Sequence, residues 1–201
     1  MDFFWQITIV EFLLNVAVFS AAAIGYGPIR SLAARLPWRS DTARSAAAGL
    51  LFGAATGAAL LLPVHFEGGA AVGAQTVLLA LAGPLGGAPA GISALVVALA
   101  AELIPWVSGG ALDNIALASS LVSAAAGLTV HAVLRRRADP LRRVFAYKHL
   151  PLLGAAAAAG GLAELWRSRS LTAIAPSILP ALAPSILASA LLGTLMLHEQ
   201  R

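Results

Sequence analysis

The chain has 201 residues, 59% of them hydrophobic and 11% charged, and a formal net charge of +4. A soluble domain carries about 25% charged residues, so this composition excludes an ordinary soluble fold and leaves no room for a soluble catalytic domain beside the apolar runs. Cysteine is absent, which excludes disulfides, thiolate metal sites and cysteine nucleophiles.

The mean hydropathy of +0.85 makes a membrane bundle the expected class. At about 20 apolar residues per span, the length allows six or seven helices with short loops. The first apolar run covers about Phe3 to Gly25 and opens on Phe3, Phe4 and Trp5. No basic n-region or cleavage site precedes it, so it reads as an uncleaved span. Tyr26-Gly27-Pro28 is expected to end it, before a loop holding Arg30, Arg35, Arg39, Arg44 and the interfacial Trp38. The second span runs from about Arg44 to Pro63 and leads into a turn, His65-Phe66-Glu67-Gly68-Gly69. The third segment, Ala70 to Gly83, would measure only about 21 Å as helix, against a hydrocarbon core of about 30 Å. A fourth span covers about Gly86 to Val107, with Trp106 at an interface and Ser108-Gly109-Gly110 as its turn. The fifth runs from Leu112 to Leu134 and stops at Arg135-Arg136-Arg137, where a basic loop extends to Lys148. Two more apolar segments follow, about His149 to Leu165 and about Pro176 to Leu197.

Basic residues orient the bundle. If the short third segment crosses, the loops at 30–44 and 135–148 and the C-terminus share one side, leaving only Arg167 and Arg169 on the other. If it dips and returns, the two basic loops face opposite sides, against the positive-inside bias. The expected topology therefore has the N-terminus outside and the C-terminus in the cytoplasm. A short segment at membrane depth is tolerated where protein or a water-filled cavity surrounds it.

Gly83-Pro84-Leu85-Gly86-Gly87-Ala88-Pro89-Ala90-Gly91, between the apolar runs Val77–Ala82 and Ile92–Ala101, reads as a break between two membrane helices. Gly83, Gly87 and Gly91 stand four apart, as do Gly49, Gly53 and Gly57. Small residues at that spacing let helix backbones approach closely in lipid, so the two stripes are expected at the packed centre. An Ala/Gly-rich composition producing the spacing by accident is the plainer alternative.

Polar groups inside a membrane are few and are functional candidates by default. Glu11 and Asn15 share one face of the first helix, Gln75 sits near the outer end of the third, and Glu102 lies a turn below Trp106. Asp113, beside Asn114, follows the Gly-Gly turn. These five (Glu11, Asn15, Gln75, Glu102 and Asp113) are the expected lining of an outward-opening cavity between the first, third, fourth and fifth helices. Each also has a plainer reading: helix-to-helix hydrogen bonding for Glu11, Asn15 and Gln75, snorkelling for Glu102, capping of the fifth helix for Asp113. Two carboxylates without an arginine between them would favour a cation, a proton or a neutral hydrogen-bonding ligand. Glu164 reads as a helix-end marker, His131 as an interfacial histidine, and Glu67 and His65 as part of an exposed turn.

Enzyme signatures are missing: no Gly-rich phosphate loop, no His-Glu-x-x-His pair, no Gly-x-Ser-x-Gly elbow. No catalytic residue, metal site or cofactor is expected. The basic loops lack the folded motif or interleaved aromatics of a nucleic-acid binder.

Ala82-Gly83-Pro84-Leu85-Gly86-Gly87 resembles the Gly-Leu-Leu-Gly-Gly-Pro run of the LytS-type five-transmembrane receptors. Ser108-Gly109-Gly110 follows in the same order, then Gly127, His131 and Arg135-Arg136, then Leu162-Ala163-Glu164-Leu165. Ala190-Leu191-Leu192-Gly193-Thr194-Leu195-Met196, running into His198-Glu199-Gln200-Arg201, resembles the last helix entering the output linker. The resemblance implies one sensor domain over 1–201, working as a homodimer, with a kinase or diguanylate cyclase module beyond Arg201. It departs in two places. Gly73-Ala74-Gln75 stands where the family has Asn-x-Arg, and the family's second arginine maps to Glu102 or Pro105. Those arginines would suit a small carboxylate, so that ligand is poorly served here. The arrangement is also similar to the substrate-binding component of energy-coupling-factor vitamin transporters. That similarity implies docking onto a coupling subunit, for which the stripe of Ser45, Gly49, Gly53 and Gly57 is the candidate.

Overall fold

The computed structural model describes residues 3–35, 40–62, 64–65, 71–72, 75–111 and 113–136. The expected sixth and seventh segments, with the motifs at 162–165 and 190–201, lie outside the described residues. In chain order the elements are α1 (Phe3–Arg35), α2 (Asp41–Leu60), β1 (Val64–His65), β2 (Ala71–Val72), α3 (Gln75–Gly86), α4 (Ala88–Val107) and α5 (Asn114–Arg136). Among the described residues, three stretches are long and apolar enough to cross a membrane: Leu13–Ala33, Ala88–Val107 and Asn114–Val133. Large apolar side chains such as Ile24, Leu50, Val96, Ile104 and Val122 point outward, as lipid-facing groups do.

The described residues are helical, as expected, apart from one short ladder. His65 belongs to a two-residue antiparallel ladder, with Val64 opposite Val72 and His65 opposite Ala71. A strand that short carries no period for sequence reading to detect.

A second correction concerns α1, which runs through Tyr26-Gly27-Pro28 to Arg35 instead of ending there. Pro28 removes the helical donor to the Ile24 carbonyl. The helix nevertheless continues because Ala22, Tyr26 and Ala33, on both sides of the proline, are buried. Tyr26 Oη donates to the Leu85 carbonyl at 2.8 Å, and its ring packs on Phe52 at 6.0 Å between centroids.

The Gly/Pro break closes to one residue, Gly87, at φ 90°. Only a glycine adopts that conformation without strain. Before it, α3 keeps Pro84 inside the helix, and after it Pro89 stands in the first turn of α4, where a missing N–H costs nothing. Pro84 leaves the Ala80 carbonyl without its helical donor. It is against this carbonyl that the Cα of Gly127 packs, so closely that a side chain there would strike it.

The two glycine stripes do pack inside the bundle, but against different partners. Gly49 and Gly53 of α2 are buried, and the stripe faces Ala90, Ser93, Val97 and Ala101 of α4. Gly83 and Gly91 instead meet Gly127 and Leu128 of α5. Ser45 ties the same seam: its hydroxyl donates to the Gly86 carbonyl and accepts the Ala90 N–H.

These contacts set the chain's direction. Asn15 meets Leu62 and Tyr26 meets Leu85, and eleven residues of α1 between them span about 16 Å. The chain therefore travels that distance toward the arginine-bearing ends of α1 and α5 between Leu62 and Leu85. The rise of α3 from Gln75 to Leu85 covers about 15 Å of it.

Candidate functional site

The polar groups of the bundle separate into two sets. On α1, Asn15 is buried at 5% exposure. Its Nδ2 donates to the Glu11 carbonyl at 3.0 Å and to the Leu62 carbonyl at 2.6 Å. Asn15 therefore staples α1 to the end of α2, where the last helical carbonyls need donors. Its Oδ1 is buried with no hydrogen-bond partner among the described residues.

The second set lies where α3, α4 and α5 meet. α3 and α5 run in the same direction and touch at Ala80 and Gly127. One to two turns back from that contact stand Gln75 and Thr76 on α3, and Ser119, Ser120 and Ser123 on α5. All five are buried. α4 runs the other way and brings Glu102 to the same level, where Ser120 Oγ donates to Glu102 Oε1 at 2.5 Å. Ser119 turns its hydroxyl back to the Ala116 carbonyl at 2.9 Å. Two atoms of this layer, Glu102 Oε2 and Ser123 Oγ, are buried without a hydrogen-bond partner among the described residues.

Asp113 closes the layer from the end. Its Oδ1 accepts the N–H groups of Ile115 and Ala116 at 3.1 and 3.3 Å, the capping geometry that orphan amides at a helix start require. It lies near enough to Glu102 for the two carboxylates to repel. The turn before it is fixed by Gly109 at φ 90° and by Ser108 Oγ, which donates to the Ile104 and Pro105 carbonyls.

Of the five residues expected at one site, Gln75, Glu102 and Asp113 thus belong to the α3–α4–α5 region. Glu11 and Asn15 belong to α1, which packs chiefly on α2 and β1. The three serines of α5 were not among the expected residues. Their spacing, with Ser120 and Ser123 three apart and Ser119 beside them, places them on one helix face. That pattern was the available signal, hidden in an Ala- and Ser-rich run.

Chemically, the layer offers one carboxylate, an amide and four hydroxyls in apolar surroundings. Such groups take up a hydrogen-bonding molecule, a proton or a cation, and repel a second anion. Comparison with protein-family models, characterised proteins and solved structures finds no match for the chain.

Proposed function

We propose that the chain is the membrane signal-input module of a LytS-type bacterial receptor, with the α3–α4–α5 polar layer as its input site. The observation that carries this reading is the pair of buried atoms without a partner among the described residues, Glu102 Oε2 and Ser123 Oγ. A pure packing seam satisfies its own polar groups, whereas a binding site keeps some of them for its ligand. A proton, a cation or a small neutral molecule entering from the outer side would engage both atoms. The engaged groups sit on α4 and α5, so occupancy would shift one helix against the other. Small-residue contacts such as Gly83 on Gly127 allow such a shift without repacking large side chains. The segments after α5 would relay the change to a cytoplasmic kinase or cyclase module. The multi-pass topology, N-terminus outside and C-terminus inside, belongs to the same proposal, as does a homodimer through the receptor.

The test joins the chain in frame at Arg201 to a diguanylate cyclase reporter and measures basal output. Gln75→Ala with Glu102→Gln, and separately Ser123→Ala, should each shift output about threefold or more at unchanged membrane levels. Unchanged output in both variants overturns the proposal.

The transporter reading asks the Ser45, Gly49, Gly53 and Gly57 stripe to bind a coupling subunit. That stripe is occupied by α4, so we retain the receptor reading alone.

A further inference from the structure

At the arginine-bearing end, opposite the polar layer, a cavity of about 570 Å³ opens between α1, α2, the α3–α4 joint and α5. Arg44 and Arg135 line it with His131, and Tyr26, Thr42 and Ser45 add hydroxyls. One carboxylate, Asp41, is also present, 3.6 Å from the Arg44 guanidinium. At that length, between groups open to solvent, the pair is weak and leaves Arg44 able to engage another anion. Arg44 Nε is shielded from solvent and has no hydrogen-bond partner among the described residues. The first turn of α4, entered through Gly87, adds the positive end of its dipole to the wall. Positive charge outweighs negative here, in a space far larger than a lone ion needs and within the usual range for ligand sites.

We infer that this cavity binds a phosphate-bearing anion, either an anionic phospholipid headgroup or a soluble organic phosphate. Two arginine forks match the paired oxygens of a phosphate group, which a lysine cluster would meet only as point charges. The hydroxyl of Thr42 lies on the same wall and suits one of the remaining ester or glycerol oxygens. Under the positive-inside orientation this end lies at the cytoplasmic headgroup level, where basic pockets between helices take up anionic lipid. The inference stands apart from the input-site reading, because it uses the opposite end of the bundle and different residues.

The test reconstitutes the purified full chain in phosphatidylcholine nanodiscs and follows its thermal midpoint. One arm adds phosphatidylglycerol to the bilayer; the other titrates glycerol 3-phosphate from solution. A rise in the lipid arm alone assigns a headgroup, and a rise in the soluble arm assigns an organic phosphate. In the responding arm, R44Q and R135Q should each weaken apparent affinity about tenfold or more, the usual loss for a charged hydrogen-bonding partner. R35Q, at the exposed end of α1 and outside the cavity, should cost less than about fivefold, as for one charge near a surface. Thr42 is exposed on the first turn of α2 and lines the cavity, so T42W obstructs it without disturbing a buried contact and should abolish the rise. No rise in either arm overturns the inference. So does wild-type binding by T42W, or an R35Q loss equal to those of R44Q and R135Q.

Discussion

Replacing each glycine of the α2 stripe by alanine should give three different results from one chemical change. At Gly49 a Cβ would fall on Ser93 Oγ and on the Ala90 backbone, 2.7 Å from Ala90 Cα. At Gly53 it would lie 2.6 Å from Val97 Cβ. At Gly57 its nearest neighbour is Ala101 Cβ at 3.6 Å, an ordinary contact. Gly53 therefore needs about 0.8 Å of separation before normal contact returns, and Gly49, whose Cβ would lie closer still to the Ala90 carbonyl, needs more. Overpacking of that kind costs about 1–3 kcal/mol, and in lipid the parting helices have no hydrophobic driving force to restore the seam. Against this, alanine gains about 1 kcal/mol of helix propensity at every position. Gly49→Ala, which meets backbone, should lose about 1–2 kcal/mol net. Gly53→Ala should lose somewhat less, because it meets Val97 alone, although Val97 Cβ can give way only with the α4 backbone. Gly57→Ala should gain about 0.5–1 kcal/mol. Reversible unfolding in mixed micelles, at fixed detergent composition, reads all three. A Gly57→Ala loss as large as that of Gly49→Ala would refute the packing assigned to this stripe.

Three further outcomes follow from single contacts. Tyr26→Phe should cost about 1 kcal/mol in the same unfolding assay, because it removes the donor to the buried Leu85 carbonyl; no change would mean that this bond does not anchor α1. Asp113→Ala should cost about 1 kcal/mol through the lost α5 cap, and Asp113→Asn should restore most of it. A double-mutant cycle on Glu102→Gln and Ser120→Ala should show coupling of at least about 0.5 kcal/mol, as expected for residues in contact; additive losses would deny the bond between them.

How much of this was readable in advance differed by element. The helix starts at Ala88 and Asn114 lie close to their sequence signals, because capping and Gly/Pro chemistry act locally, whereas α2 begins at Asp41, three residues ahead of the expected Arg44, where Ser40 caps it. The break at Gly87 was legible for the same reason. Pro28 misled, since burial of Ala22, Tyr26 and Ala33 outweighs the lost hydrogen bond, and burial depends on neighbours distant in sequence. The partners of the glycine stripes were hidden too: spacing marks a flat helix face but does not say which helix covers it. At the site, Gln75 and Glu102 stood out as polar residues in apolar runs. Ser120 and Ser123 did not, because serine among alanines is common and only the approach of α4 gives them meaning.

The central claim is that the polar layer is a site reached from the outer side and not a dry hydrogen-bonded seam. Because the chain contains no cysteine, single-cysteine labelling tests this without background. Ser123→Cys and Ala94→Cys are compared in intact cells with a small, membrane-impermeant thiol reagent. Both positions are fully buried, but only Ser123 lies in the polar layer, where its hydroxyl and Glu102 Oε2 lack a partner among the described residues and would be met by water or ligand. The account predicts that Ser123→Cys reacts at least about tenfold faster than Ala94→Cys, and that Glu102→Leu, which makes the layer apolar, slows it. Equal inertness at the two positions would contradict the account.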